Sequence, residues 1–296
     1  MAIRAIKISF IFILILLGFI LILLLPREMK VTVVSPFATK AEFPFSFELY
    51  QAKMTAFIDY IQTEKGFGER RGEPISKELQ RLLPRSLMII IPAFVCSMVF
   101  GVLFGVLQFL SRNSILGKFQ ASVSWLFSSI PDFFLYIVIQ LILIKQMNRG
   151  GLPHMHIYGH DYWYSFIFPC LAITIFPLLH MAKFTASALQ SQASEEYIRT
   201  AYAKGLGSSQ VLRHMLWNCW PGLLNQTQVI MLYILSSLPI IEKLSSYKGA
   251  GYVLLESIQG HDDIRALAYM LPFLCLMFLT ILSSQIVKHR LLPQQQ

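Results

Sequence analysis

Six long apolar runs punctuate the chain, at residues 8–25, 86–110, 119–144, 164–182, 221–241 and 266–287. Each is close to the ~20 residues a helix needs to cross the hydrocarbon core of a bilayer. Asp132 is the only formally charged side chain inside them. This pattern predicts an all-α integral membrane protein with about six transmembrane helices.

The first run follows Arg4 and Lys7, as the core of a signal peptide would. It is longer than the roughly 7–15 apolar residues of such a core, and no small-x-small cleavage site follows. Leu25-Pro26-Arg27-Glu28 instead reads as a membrane exit, making residues 1–25 an uncleaved anchor helix.

Residues 26–85 are too polar to span lipid and read as an extracytoplasmic segment between the first two helices. Leu49, Met54, Phe57, Ile58 and Ile61 fall on one helical stripe, which Lys65-Gly66-Phe67-Gly68 ends. Ile75, Leu79, Leu82 and Leu83 form a second stripe leading into Pro84. Such a segment serves as an external cap, as a docking surface for a soluble partner, or as a solvated linker with interfacial helices.

Residues 86–290 hold the five remaining spans and, at 190–218, the longest inner polar stretch. Ser194 is placed to cap a helix over 195–204, with Glu195 and Glu196 favouring its dipole in the first turn. Gly205 suits the left-handed position past its end. Ser208 and Ser209 can cap a second helix, 210–219, that runs into Pro221. The expected element is helix, glycine corner, helix, able to pass a push to the fourth and fifth spans. Pro92, Pro131, Pro177, Pro239 and Pro272 lie within spans, where proline kinks a helix.

Composition agrees with a membrane chain. Hydrophobic residues make up 55% and charged residues 14%, against roughly 25% charged in soluble domains; mean hydropathy is +0.57. With the N-terminus inside, inner segments carry Arg4, Lys7, Arg112, Lys118, Lys183, Arg199, Lys204, Arg213, Lys288 and Arg290 against Glu195 and Glu196. The short outer loops carry Arg149, Lys248 and Arg265 against Asp161, Glu256, Asp262 and Asp263. This is the positive-inside asymmetry, with both termini cytoplasmic. Topology therefore accounts for the net charge of +9, with no nucleic-acid partner. Cys96, Cys170, Cys219 and Cys275 show no CxxC spacing, which indicates neither a disulfide framework nor a zinc site.

Few residues carry candidate chemistry. Asp132 follows Pro131 inside a span, so it either faces a solute or caps the helix after the break. Asn225, Gln226 and Gln228 either line a path or bond across helices. His154, His156 and His160, with Asp161, can hold a transition metal or simply occupy an outer loop. His180 and Lys183 fit snorkelling at an inner membrane face. Neither H-E-x-x-H nor G-x-S-x-G occurs, so a membrane enzyme has no constellation to work with. No G-x-x-x-x-G-K-[ST] occurs either, so ATP is not expected to bind this chain.

The stretch Tyr197-Ile198-Arg199-Thr200-Ala201-Tyr202-Ala203-Lys204-Gly205-Leu206 resembles the coupling loop of the dipeptide/oligopeptide/nickel permease family of ABC importers. The same family's pattern is similar to Gly66-Phe67-Gly68, Gly72-Glu73-Pro74-Ile75-Ser76, Arg81-Leu82-Leu83-Pro84-Arg85-Ser86-Leu87, Ser129-Ile130-Pro131, Gly249-Ala250-Gly251-Tyr252 and Asp262-Asp263. Roughly residues 57–290 follow its order. Three departures stand out. Arg199 sits where the broader importer motif has Glu, the 205–221 spacing looks about one residue short, and no PGDP-like stretch follows the first span.

The resemblance implies a permease subunit of a bacterial cell membrane that imports peptides or a similar small solute. It implies a second permease subunit, two ATPase subunits holding ATP and magnesium, and an extracytoplasmic solute-binding protein, with no cofactor on this chain. It places Glu196, Tyr197, Arg199, Thr200, Ala201, Lys204, Gly205 and Leu206 at the ATPase contact. Asp132, Asn225 and Gln228 are the pathway candidates. A metal or metal-chelate permease is the alternative the histidines raise. A gradient-driven secondary transporter is a further one, disfavoured by the single charge within the runs and the lack of an evident repeat.

Overall fold

A computed structural model describes residues 2–25, 30–35, 38–42, 46–64, 66–70, 72–151, 153 and 156–291. The chain divides into two compact units, Met1–Arg81 with Glu256–Leu274, and Leu82–Leu255 with Cys275–Gln296.

In the first unit, α1 (Ala2–Leu23) is followed by a hairpin of β1 (Lys30–Ser35) and β2 (Ala38–Glu42), which pair antiparallel with an irregularity between Val33 and Ser35. The sequence stripes did not signal these strands. Helix α2 (Phe47–Glu64) carries the expected stripe, yet none of its residues is buried and Ile58 is exposed. A minimal hairpin, β3 (Glu69–Arg70) and β4 (Glu73–Pro74), then turns the chain into α3 (Ile75–Ser111). Two ion pairs bind this turn to the 256–274 segment. Arg70 Nη1 donates to Asp262 Oδ2 at 2.8 Å, and Arg265 grips both Glu78 oxygens at 3.1 and 2.5 Å. Arg265 is nearly buried and the grip is bidentate, the geometry in which a guanidinium–carboxylate pair is strongest.

The second unit contains α4 (Ile115–Ser129), α5 (Asp132–Asn148), α6 (Ile167–Gln192), α7 (Glu196–Ala203) and α8 (Ser208–Leu244). The helices α9 (Ala250–Gln259) and α10 (Asp263–Leu291) belong to both units. Its core sits between α3, α6 and α8. Ile89, Ile90, Ala93 and Ser97 of α3, Ile173, Met181 and Leu189 of α6, and Leu223, Ile230, Ile234, Leu238 and Ile241 of α8 are buried at three- and four-residue spacing. The opposite faces expose large apolar groups such as Val99, Leu103, Leu171, Leu232 and Leu279. So much exposed apolar surface is untenable in water and is what a lipid-facing helix presents.

Among the described residues, four helices are long and apolar enough to cross a membrane: α3, α6, α8 and α10. Residues 9–23 of α1 form a shorter apolar helix. The expected third span is not one rod. Gly117–Phe127 and Asp132–Asn148 differ in direction by 102° and would make a fifth span only as a bent pair. The break falls at Ile130-Pro131, where proline disfavours helix in the residue before it.

The other prolines do not break their helices. Pro92, Pro177, Pro239 and Pro272 lie inside continuous helices, as do Pro84 and Pro221. Each proline removes one helical N–H bond, a loss that neighbouring helices let a membrane helix absorb. Thus α8 joins the expected 210–219 helix and the fifth apolar run into one helix of 37 residues.

Candidate functional site

The 190–218 stretch folds as a short helix, a tight corner and the start of a long helix. The corner is fixed by backbone bonds. Lys204 N–H donates to Thr200 O at 3.0 Å, Gly205 N–H to Tyr202 O at 2.9 Å, and Leu206 N–H to Ala201 O at 3.2 Å. This is a Schellman ending, and it requires the left-handed φ of +80° that Gly205 adopts. Gly207 then caps α8, its N–H donating to Gln210 Oε1 at 3.1 Å. The expected capping residues are corrected. Ser194 Oγ donates back to Ser191 O at 2.8 Å, Glu195 occupies the N-cap of α7, and Ser208 opens α8 rather than preceding it.

α7 has two faces. Ile198 and Ala201 are buried, whereas Glu196, Arg199, Thr200, Tyr202, Lys204 and Gly205 are exposed. Tyr197 and Leu206 are half-buried, and the Tyr197 hydroxyl donates to Gln192 Oε1 at 2.6 Å. Of the eight residues expected to touch an ATPase, Ala201 therefore faces the chain's own interior. The remainder form a small polar surface of mixed charge, with Arg213 and His214 exposed on the first turns of α8.

A second constellation escaped sequence reading. Glu242, one residue past the fifth apolar run, is completely buried in α8. Its Oε1 accepts the Ser86 hydroxyl at 2.6 Å and its Oε2 accepts the Tyr252 N–H at 2.7 Å. Ser86 Oγ in turn accepts the Ala250 N–H at 2.7 Å. Two of the unpaired N–H groups in the first turn of α9 are thus met by a carboxylate from α8 and a hydroxyl from α3. Gly249 lies directly against both, so that any Cβ there would overlap the Glu242 carboxylate and come within 2.5 Å of Ser86 Oγ. Nearby, burial pushes the Tyr247 phenol above its ordinary value, with the Glu242 charge adding to it.

The pathway and metal candidates are scattered. Asp132 is the first residue of α5, where its Oδ1 accepts the Phe133 N–H at 2.8 Å and its charge complements the helix dipole. Asn225 Oδ1 accepts from Lys288 Nζ of α10. Gln226 Oε1 lies 3.0 Å from His180 Nε2 of α6, and Gln228 is half-buried. His180 thus bonds across helices and meets the Tyr233 ring edge-on at 5.5 Å, which replaces the snorkelling expectation. His154 lies outside the described residues. His156 stacks on Tyr162, and His160 Nε2 is 4.0 Å from Asp161 Oδ1. Burial, and then the Arg85 guanidinium, hold His160 below the ordinary imidazole value. Among the described residues no three His, Cys, Asp or Glu side chains gather where a metal ion would sit.

Apolar helices with lipid-type outer faces and a capped, exposed polar corner define a multi-pass helical membrane protein. The chain belongs to the family of binding-protein-dependent transport system inner membrane components, whose description matches residues 97–294. It is 26% identical over 203 residues to the glutathione transport system permease protein GsiC of Escherichia coli K12, covering 68% of this chain. It is 28% identical over 204 residues to the GsiC of Salmonella paratyphi A. The chain spans 65% of the length of these relatives. Its fold is similar to a chain of the MetNI methionine ABC transporter solved in inward-facing conformations. The TM-score is 0.59 at 17% identity, over 75% of this chain and 100% of that one.

Proposed function

We propose that this chain is the transmembrane permease subunit of an ATP-driven importer, forming half of a translocation pathway. It works beside a second permease subunit, two ATPase subunits that hold ATP and magnesium, and an extracytoplasmic solute-binding protein. The observation that carries the reading is α7, an eight-residue helix with a buried apolar face and an exposed polar one, locked to α8 by the Gly205 corner. A helix so short gains little stability by itself, and its burial against its own chain lets a push on one face reach α8. α8 runs without a break into the core. ATPase closure would then shift the balance between inward- and outward-open states through that helix.

The cargo in this reading is a peptide or similar small polar solute, in keeping with the glutathione named in the GsiC relatives. Asp132, at the broken junction of α4 and α5, and Gln228 remain its pathway candidates. Asn225 already has Lys288 as a partner.

The test is co-purification from native membranes in mild detergent, with mass identification of what accompanies the tagged chain. An ATPase and a second multi-span chain in stoichiometric amounts support the reading, and a solute-binding protein beside them names the cargo class. A chain that stays alone even after cross-linking through the 197–206 corner overturns it.

A further inference from the structure

The connection from α5 to α6 carries an ordered aromatic platform that the transport reading does not use. The His156 ring stacks on Tyr162 with centroids 4.7 Å apart and planes 10° from parallel. Tyr162 stacks on Tyr164 at 5.3 Å, and Trp163 meets Tyr164 edge-on at 5.8 Å. The platform is held from below. Ile157 is buried, and the Gly159 N–H donates to Ser245 O at 2.9 Å, tying the loop to the end of α8. Its upper side is bare, with Trp163 80% exposed and Tyr158 and Tyr162 also exposed.

Its position along the chain selects the occupant. The Ile167 N–H donates to Tyr164 O at 2.9 Å as α6 begins, so Trp163 lies only four residues before an apolar span. Only turn residues separate the ring from the start of the span, so it lies beside the span's end. Lys145 and Arg149 are exposed at the other side of the connection, at the end of α5. Indole and phenol rings, each with an apolar body and a polar tip, collect at the headgroup level of a bilayer. Lysine and arginine at helix ends reach the same layer and complement lipid phosphate. A soluble protein partner would need a groove or a complementary acidic face, whereas a line of rings leading into a span, in a connection that opens with exposed cations, matches a lipid surface.

We propose that the 156–166 loop is a membrane-interface anchor that seats Trp163 and Tyr162 in the phospholipid headgroup layer, with Lys145 and Arg149 at the level of lipid phosphate. The loop then fixes the depth and rotation of α6, and through the Gly159–Ser245 bond the end of α8. This depends on α6 crossing the membrane and not on the transport reading.

The experiment uses the full chain in nanodiscs of phosphatidylcholine and phosphatidylglycerol. A Trp125→Phe/Trp217→Phe/Trp220→Phe variant leaves Trp163 as the single indole. The lipids carry a nitroxide either on the headgroup or deep in the acyl chain, and aqueous iodide is titrated separately. The proposal expects Trp163 emission to be largely lost with the headgroup label, and little changed by the deep label or by iodide. Strong iodide quenching with no effect of the headgroup label overturns it, as does quenching by the deep label alone. So does shielding that appears only when a partner protein is added. Should the triple variant fail to fold, the wild-type chain is compared with Trp163→Phe. The headgroup-quenched part of the emission is expected to fall in the variant, and an unchanged quenched fraction overturns the proposal.

Discussion

Ser86 of α3 donates its hydroxyl to Glu242 of α8 across 2.6 Å, and the pair together caps the start of α9. Glu242 is fully buried, so its carboxyl is tolerable there only because hydrogen bonds replace the water it lost. The arrangement joins two long helices and the start of a short one through three bonds.

Replacing Glu242 with Ala leaves the Ser86 hydroxyl and the Tyr252 N–H without their acceptor. The expected cost is about 2 kcal/mol for stranding buried donors. It should appear as a clear fall in the thermal midpoint of the detergent-solubilised chain. Glu242→Gln keeps an acceptor oxygen and should fall less. Equal midpoints for wild type and Glu242→Ala would show that the network does not hold α9.

The close approach of α3 to α6 rests on Gly101 and Gly105. A Cβ on Gly105 would come within 2.5 Å of the Thr185 Cβ and 2.6 Å of Ala182 O, and one on Gly101 within 2.5 Å of the Met181 Cβ. Small residues at this spacing let membrane helices touch at the backbone. Gly105→Val should destabilise by about 1–3 kcal/mol through overpacking, measured as earlier heat aggregation. Gly18→Val, where an added Cβ meets nothing, serves as the control. Equal loss in both variants would point away from packing.

Gly205 tests the corner rather than the core. An added Cβ there meets nothing within 4 Å, so strain arises from φ alone. A β-branched residue in the left-handed region costs about 1–2 kcal/mol locally. Gly205→Val should therefore insert into membranes normally yet lose solute uptake, while Gly205→Asn, which tolerates that φ, retains more of it. Uptake in cells matched for membrane abundance checks this, and normal uptake in Gly205→Val would remove the corner from the coupling account.

Asp132 separates a pathway role from a helix-terminal one. Its carboxylate already favours the start of α5, and Asn at the same place can still cap. Asp132→Asn should weaken uptake of cationic solutes several-fold and leave neutral ones unchanged. Equal uptake of both would make Asp132 structural.

Much of this fold was legible in the pattern of apolar runs, and the reasons for the misses are physical. The end of α7 could be read because its left-handed position holds glycine. The ends of α8 and α9 use the same backbone bonds, Tyr247 N–H to Glu242 O at 3.0 Å and Asp262 N–H to Ser257 O at 2.9 Å. There Ser246 and His261 take φ of 53° and 55°, so no glycine marks them. Glu242 was missed because it follows an apolar run by one residue and looks like a loop charge, although α8 continues two residues beyond it. The one signal that could have found it is the glycine pair of Gly249-Ala250-Gly251, which leaves room for a carboxylate. Proline could not say which helices would break, since it states the missing N–H but not how neighbouring helices absorb the loss: Pro131 marks the break before α5, while Pro92, Pro177, Pro239 and Pro272 lie within continuous helices.

The central claim is that the exposed face of α7 is where an ATPase pushes. A photocrosslinking amino acid placed singly at Arg199, Thr200 and Ile198 in the assembled complex tests it most directly. The account predicts crosslinks to an ATPase subunit from Arg199 and Thr200, which are exposed, and none from Ile198, which is buried. A transport-active complex in which neither exposed position captures an ATPase would contradict it.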